Sequence, residues 1–410
     1  MRVCLFLSLL LLSTMLLTQS FPLQVNAILT WNVQTIDKNG AQGKFLVAVD
    51  SHNYPHIAYN SYEGGPSSIS QYSIEDLTYA SWNGAGWSIQ KVTQEAYCLD
   101  FKLDSNNNPH ILCIDAMNAS LLYASCIGTK WSIQTIDRYG FWGSLSLDSY
   151  GNPHIAYLSN GSAEFETLKY ASWTGLGWQR QIVDGSLRFP GYLVSLALDS
   201  SNNPHVMYEA RSSSLIKYAV KENTTWNIQT VFENASLGNM VLDSNGYPHL
   251  IFENIDIGNL TYANWDGTAW STQVVGSNVD LYQMGSVTLD SNNYPYITYS
   301  NGGGYNGEAL MYKRWTGSTW ETQTADPGSA TGPGTLIIDS NGNLHLSYPG
   351  FHFDHSFNNA YCMFASTANY TRTASLTMQA YLPWIILLII IVAVVLTPLY
   401  LLKRKKESPR

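Results

Sequence analysis

Seven copies of one short phrase restrict this chain more than any other feature. The phrase reads apolar-x-apolar-Asp-Ser-x-x-x-Pro-His, and its aspartates are Asp50, Asp104, Asp148, Asp199, Asp243, Asp290 and Asp339. The intervals of 54, 44, 51, 44, 47 and 49 residues match the spacing of four-stranded propeller blades. Two further elements share the period. One is a Leu-x-Tyr-Ala strand, as at Leu77-Thr78-Tyr79-Ala80 and Leu168-Lys169-Tyr170-Ala171. The other is Trp-x-x-Gln, at Trp31, Trp87, Trp131, Trp178, Trp226, Trp270 and Trp320.

Each unit reads as four short strands rich in Ile, Val, Leu, Tyr and Trp, without helical periodicity. In the third copy these are Leu145 to Leu147, His154 to Tyr157, Leu168 to Trp173 and Trp178 to Val183. The Asp-Ser-Tyr-Gly-Asn-Pro link is turn chemistry: Asp and Asn bond nearby backbone, Gly accepts positive φ, and Pro presets its own. Trp31 precedes the first Asp-Ser phrase, and no Trp-x-x-Gln follows the last third strand at Cys362 to Ser366. The N-terminal strand therefore completes the last blade. The expected fold is all-β, a seven-bladed propeller over residues 28–366 closed by one strand from each end, which leaves no open sheet at start or finish.

The links differ in how much they vary. Asp to the His position is six residues in every copy, with Tyr296 replacing His once, and Tyr to Trp is eight residues in six copies. The second-to-third and fourth-to-first links change length, as Tyr59–Leu77 against Cys113–Leu121 shows. In an up-and-down blade the two constant links share one face and the two variable links the other. Function concentrates on variable loops carried by a rigid scaffold.

The chain ends carry addresses. Arg2, the leucine-dominated run Val3 to Leu17 and Val25-Asn26-Ala27 read as an export signal over residues 1–27, too short for a membrane span. A short Ser/Thr-containing stalk (367–380) leads to a transmembrane helix (381–402). Its core, Leu382 to Leu402, is 21 uncharged residues, about 30 Å as a helix. Lys403, Arg404, Lys405 and Lys406 open a basic cytoplasmic tail (403–410). The chain is expected at the cell membrane with its N-terminal domain outside. Without Arg2, residues 403–406 and Arg410, 15 of 21 basic residues remain; without Glu407, 29 of 30 acidic ones. A charge of about −14 on the exported part argues against nucleic acid as a partner.

Sequons at Asn118, Asn160, Asn223, Asn234, Asn259 and Asn369 suit an exported glycoprotein, with Asn160 and Asn234 expected in loops. Cys98 and Cys113 fall on adjacent strands of one blade, within reach of a bond. Cys362 reads as a buried thiol, and sequence does not choose among the three pairings.

The repeated histidines (His56, His110, His154, His205, His249 and His345) belong to the constant face and read as structural partners of the turns. The Asp-Ser turns offer calcium loops only weakly, since no closing glutamate follows, so no cofactor is expected. His352, Asp354 and His355 form a weak transition-metal candidate without a fourth ligand. Tyr139, Phe141, Trp142, Tyr192 and Tyr305 are candidate ligand-binding aromatics of the variable face, because such rings join an apolar body to a polar tip. Tyr62, Tyr72, Tyr97, Phe189, Tyr282, Phe351 and Phe353 accompany them. Glu209 and Glu253, with Asp115 and Glu308, lie beyond second strands or in variable loops and could approach the channel mouth as paired carboxylates.

The run Leu147-Asp148-Ser149-Tyr150-Gly151-Asn152-Pro153-His154-Ile155-Ala156-Tyr157 resembles a repeat of exported archaeal and bacterial surface proteins predicted to form propellers. The resemblance covers Trp31 to Ser366 and implies architecture rather than activity. More distantly the chain is similar to tryptophan-rich propeller lectins and to sialidase-like propellers. The sialidase Asp-box is absent, and only Arg138, Arg188 and Arg211 could serve an arginine cluster. The function expected is glycan or protein recognition at the cell surface. The alternatives are a carbohydrate-active hydrolase or lyase on the same face and a structural envelope component.

Overall fold

The computed structural model describes residues 29–39, 43–62, 75–162, 165–187, 193–210, 214–277, 285–301, 308–330, 332, 334–350 and 361–367. The signal, the apolar C-terminal stretch and the tail lie outside them, as do Tyr192, Tyr305, His352, Asp354, His355 and Asn369. Among the described residues no helix is long and apolar enough to cross a membrane.

Twenty-eight described strands, β1–β28, build seven antiparallel blades of four within the unit Thr30–Ala368. The first blade runs β2 (Leu46–Val49), β3 (Pro55–Ser61), β4 (Asp76–Trp82) and β5 (Trp87–Thr93) from channel to rim. The seventh is the composite expected: β26 (Thr335–Ile338), β27 (Leu344–Gly350), β28 (Tyr361–Ser366) and β1 (Asn32–Asp37). β1 pairs β28 from Asn32↔Ser366 to Asp37↔Cys362. Ala330↔Gly350 additionally joins the sixth blade to the seventh.

The turn chemistry is the same in all seven phrases. Each aspartate accepts the N–H groups two and four residues on through its Oδ1, at 2.7–2.9 Å. The fourth turn residue has a left-handed backbone, supplied by Asn53, Asn107, Asn202 and Asn293 or by Gly151, Gly246 and Gly342. Asn and Gly are the residues that tolerate it. Where Asn stands it also reaches the preceding blade: Asn107 to Ser51, Asn202 to Ser149, Asn293 to Ser244, and Asn53 to Ser340 across the ring closure.

The repeated histidine then continues the chain of contacts. Nε2 of His110 and His154 stands 3.5 Å from the turn aspartate, and Nδ1 pairs with the hydroxyl of Tyr123 or Tyr170 on the third strand. His56–Tyr79, His205–Tyr218 and His249–Tyr262 repeat the arrangement. In the seventh blade Phe364 replaces the tyrosine, so His345 approaches Asp339 to 3.1 Å and pairs with Ser366 Oγ instead. The histidines are thus structural, and each turn aspartate is committed to its own turn.

That third-strand ring meets the Trp of the following blade edge-on. Tyr79–Trp131, Tyr123–Trp178, Tyr170–Trp226, Tyr218–Trp270, Tyr262–Trp320, Tyr312–Trp31 and Phe364–Trp87 complete the circle, at 5.3–6.4 Å and 68–89°. At four seams the Gln three residues after a Trp serves the same contact: Trp131 donates to Gln90, Trp178 to Gln134, Trp320 to Gln273 and Trp87 to Gln34.

Cys98 and Cys113 are register partners, as expected, yet both thiols are free in this structure, as are Cys126 and the fully buried Cys362.

Two predictions follow from this ring. Deleting residues 30–37 removes the outer strand of the seventh blade together with Trp31, so the cooperative thermal melt of the whole ring should be lost. A melt with unchanged midpoint would contradict closure. Burial holds the pKa of all six repeated histidines below the ordinary 6.5, against the pull of their aspartates. Their neutral form is therefore the folded form. That contribution is complete above pH 6.5 and is lost as pH falls below it, with uptake of up to six protons on unfolding. Denaturant midpoints measured from pH 8 to pH 5 should fall accordingly, and His154→Gln should lower the slope by about one proton.

Candidate functional site

Inner strands leave their channel-side edges unpaired within the blade, and buried backbone groups need partners. Each seam solves this with a side chain from one blade on the backbone of the next. Asn60 takes Ala96 O and Cys98 N; Asp100 takes Leu145 N; Ser144 takes Leu196 N; Ser195 takes Met240 N and O. Asn239 takes Val287 N and O, Thr298 donates to Gly334 O, and Ser347 donates to Phe45 O. Within this ring of contacts lies a central cavity of about 1370 Å³ lined by the inner strands of all seven blades.

The wall is uneven toward the variable face. β6 (Ala96–Leu103), β10 (Gly140–Leu147) and β18 (Ala235–Leu242), the first strands of blades two, three and five, run eight residues, against four in β2 and β26. All three carry bulges, at Leu99, Trp142 and Gly238-Asn239. A bulge breaks the alternation of faces and re-aims a side chain. In β6 it puts Leu99 and Asp100 on the same side, so Leu99 joins the apolar packing with Leu145 and Tyr157 while Asp100 meets Ser144 and Leu145.

In β10 the bulged residue is Trp142 itself, at φ +37°, half-exposed and lining the channel. A left-handed backbone in a bulky residue costs roughly 1–3 kcal/mol and concentrates at functional sites. Gly143 admits the bulge, because a Cβ there would sit 3.0 Å from both Ala156 O and the Leu112 side chain. Phe141 turns its side chain toward the apolar packing of blades three and four but also lines the channel. Tyr139 is exposed on the preceding turn and is not part of the lining.

Three charged residues line the described channel: Lys44, Asp100 and Lys102. Lys44 Nζ donates to Leu99 O at 2.8 Å. Desolvation by the surrounding protein lowers its pKa, only partly offset by Asp100, although the residue stays open to solvent. Asp100 accepts four hydrogen bonds, from Phe101 N and Lys102 Nζ on Oδ1 and from Ser144 Oγ and Leu145 N on Oδ2. Burial would raise its pKa, but Lys102, Lys44 and the Leu145 N–H outweigh burial and hold it below the ordinary value.

Glu209 and Glu253 are corrected by the structure. They lie inside the second strands β15 (Pro204–Ala210) and β19 (Pro248–Asn254), not beyond them, and are buried at 7% and 3% exposure. Neither lines the channel, so they do not form a carboxylate pair at its mouth. The second strands extend farther toward the variable face than the repeat phrase shows, so both glutamates belong to the strands and are buried. Asn160 likewise falls in a strand, β11 (Pro153–Ser162), rather than a loop. It is exposed, as are Asn118, Asn223 and Asn234, while Asn259 is half-buried. Asp115 closes β7 (Pro109–Asp115) and caps its own turn through Met117 N and Asn118 N. Among the described residues no cluster of three His, Cys, Asp or Glu could hold a metal ion.

One group escaped sequence reasoning. Glu75, at the end of the longest variable link, accepts a hydrogen bond from Tyr62 OH at 3.3 Å, and its carbonyl accepts Ala96 N. Burial pushes its carboxyl up to about 7, and Tyr62 only partly counters this. The Tyr62 hydroxyl is raised to about 12 by burial and by Glu75, and Tyr97, which lines the channel, is raised by the same two causes. A displaced carboxyl beside two phenols near a cavity mouth is chemically distinctive. Nothing in its local sequence separates Glu75 from any other loop acid.

No protein-family model and no curated protein matches this chain. Among solved structures, an inactive virginiamycin B lyase from Staphylococcus aureus, in complex with quinupristin, superposes with TM-score 0.54 at 12% identity, over 83% of this chain and all of that one. Polysaccharide lyase Uly1 gives TM-score 0.52 at 9% identity, over 85% and 94%. The SapL1 lectin, in complex with alpha methyl fucoside, gives 0.48 at 11%, over 72% and 99%. At such identities the likeness concerns the propeller fold alone.

Glu75→Gln provides a signed test of the rim. A carboxyl raised from 4.5 to about 7 stabilises the fold below pH 4.5 and loses that contribution as pH rises through 7. The variant should match the parent at pH 4.5 and be more stable at pH 8, by denaturant midpoint. An equal difference at both pH values would contradict the raised carboxyl.

Proposed function

We propose that this chain is a membrane-anchored cell-surface recognition protein that binds a glycan through the variable-face mouth of its propeller. The observation that carries the reading is Trp142, held by a bulge in a strained backbone with its indole half-exposed at the channel. Phe141 and Tyr97 add aromatic surface to the same wall. Rings of this kind stack on sugar faces while their polar edges accept or donate hydrogen bonds. Anchoring rests on the apolar run 382–402 and the basic residues after it. β1 starts and β28 ends on the constant face.

A glycan array probed with the purified full-length chain tests the reading. Saturable binding to a sugar class, weakened at least tenfold in Trp142→Ala, is expected. Protein partners remain the outcome if no glycan binds while a surface protein does so through Trp142. The enzyme alternative has its own support in Glu75, whose carboxyl is raised to about 7 as a general acid requires. Polysaccharide turnover lost in Glu75→Gln would replace binding by catalysis.

A further inference from the structure

The channel wall of an acidic protein carries a surplus of positive charge. Lys44 and Lys102 stand against a single carboxylate, Asp100, and no other charged residue lines the described channel. The exported part as a whole has 15 basic against 29 acidic residues, so the local inversion needs a reason.

Asp100 attracts Lys44 through space but makes no hydrogen bond to it, and its single charge is shared with Lys102. A carboxylate offers about four acceptor sites, and the four donors already on Asp100 fill them. One donor is Lys102, at 2.6 Å, which spends a second N–H on Phe101 O at 3.2 Å. Lys44 makes one hydrogen bond, to the Leu99 carbonyl. An ammonium has three N–H groups, so two of them are available to a ligand, and Lys102 retains one. The Leu99 carbonyl that holds Lys44 exists in this position because of the β6 bulge. The site is therefore built by the backbone rather than left by chance at a surface.

We infer that the channel mouth binds an acidic ligand group, a carboxylate or a sulfate ester, through Lys44 with Lys102 beside it. Resting on the glycan reading above, this makes the ligand an acidic polysaccharide rather than a neutral sugar. The cavity of about 1370 Å³ exceeds the roughly 300–1,000 Å³ of ordinary small-molecule sites, which suits several linked rings. Trp142 on the same wall offers a stacking surface to a ring carrying the acid. The acidic outer surface opposes entry only weakly, because exposed charges are screened beyond about 8 Å at physiological ionic strength. Lys44 and Lys102 are themselves solvent-accessible, so their attraction for an acidic group should weaken as ionic strength rises.

Isothermal titration of the full-length chain in detergent, at fixed ionic strength, tests the inference with three probes of similar length. These are an oligogalacturonate, a sulfated dextran and a neutral malto-oligosaccharide. At least one acidic probe should bind tenfold or more tighter than the neutral one. Lys44→Met should remove that advantage while leaving the thermal midpoint of the free protein within a few degrees, and Lys44→Arg should retain most of it. If Lys44→Met fails to fold, loss of the advantage in Lys102→Met serves in its place. Equal affinity for acidic and neutral probes would overturn the acidic site and leave the glycan reading standing. Acidic binding indifferent to both lysines would do the same. Failure of all three probes would overturn the acidic site. The glycan reading would then stand or fall with the array.

Discussion

The edge-on contact between the third-strand ring of one blade and the tryptophan of the next holds this structure together, because it joins sheets that share few backbone hydrogen bonds. Blades associate by side-chain packing, so the seam needs a specific contact to fix how far each blade rotates against its neighbour. The tyrosine is itself fixed from behind by His and Asp, and at four seams the tryptophan is fixed in front by Gln, as in the series Asp104, His110, Tyr123, Trp178, Gln134. Such aromatic pairs contribute roughly 0.5–1.5 kcal/mol each beyond area burial. Seven of them in a closed circle add constraint as well as energy, since no seam can open without straining the others.

This explains why the architecture was so legible in the sequence. Asp, His, Tyr, Trp and Gln each perform one geometric task at a fixed interval, so the task must be written out again in every copy. The missing outer strand after Ser366 was readable for the same reason: a ring of seven Trp contacts leaves a vacancy that only Trp31 can fill. The limits of the reading have the same origin. The sequence of the third copy predicts strands of three to six residues, while β10, β11, β12 (Phe165–Trp173) and β13 (Trp178–Leu187) run eight to ten. The extra residues lie toward the variable face, where copies stop resembling each other. Glu209, Glu253 and Asn160 stand in those extra strand residues.

Trp142 and Lys44 show two grades of legibility at the channel. Trp142 stood out as a large aromatic in a variable link, but its bulge and positive φ depend on Gly143 approaching Ala156 and Leu112. Those residues belong to a neighbouring strand and a neighbouring blade. Lys44 carries no local signal at all. Its meaning comes from Leu99, 55 residues away, and from an aspartate whose acceptors are already filled. Pairing across blades decides both, and a single repeat contains no record of what faces it.

The inner ring of contacts also argues that the charges in the channel do more than close a seam. Asn60, Ser144, Ser195, Asn239, Thr298 and Ser347 bridge six of the seven seams with neutral groups. Asp100 does the same task at the seam between blades two and three with a carboxylate. Burying that carboxylate carries a desolvation cost that a hydroxyl avoids, and four donors including Lys102 are needed to offset it. A neutral hydroxyl or amide, as at the other six seams, makes the same bridge without that arrangement. Departures from consistency of this kind are expected where function competes with fold. Here the departure stands in the wall that also holds Lys44, and one bulged strand away from Trp142.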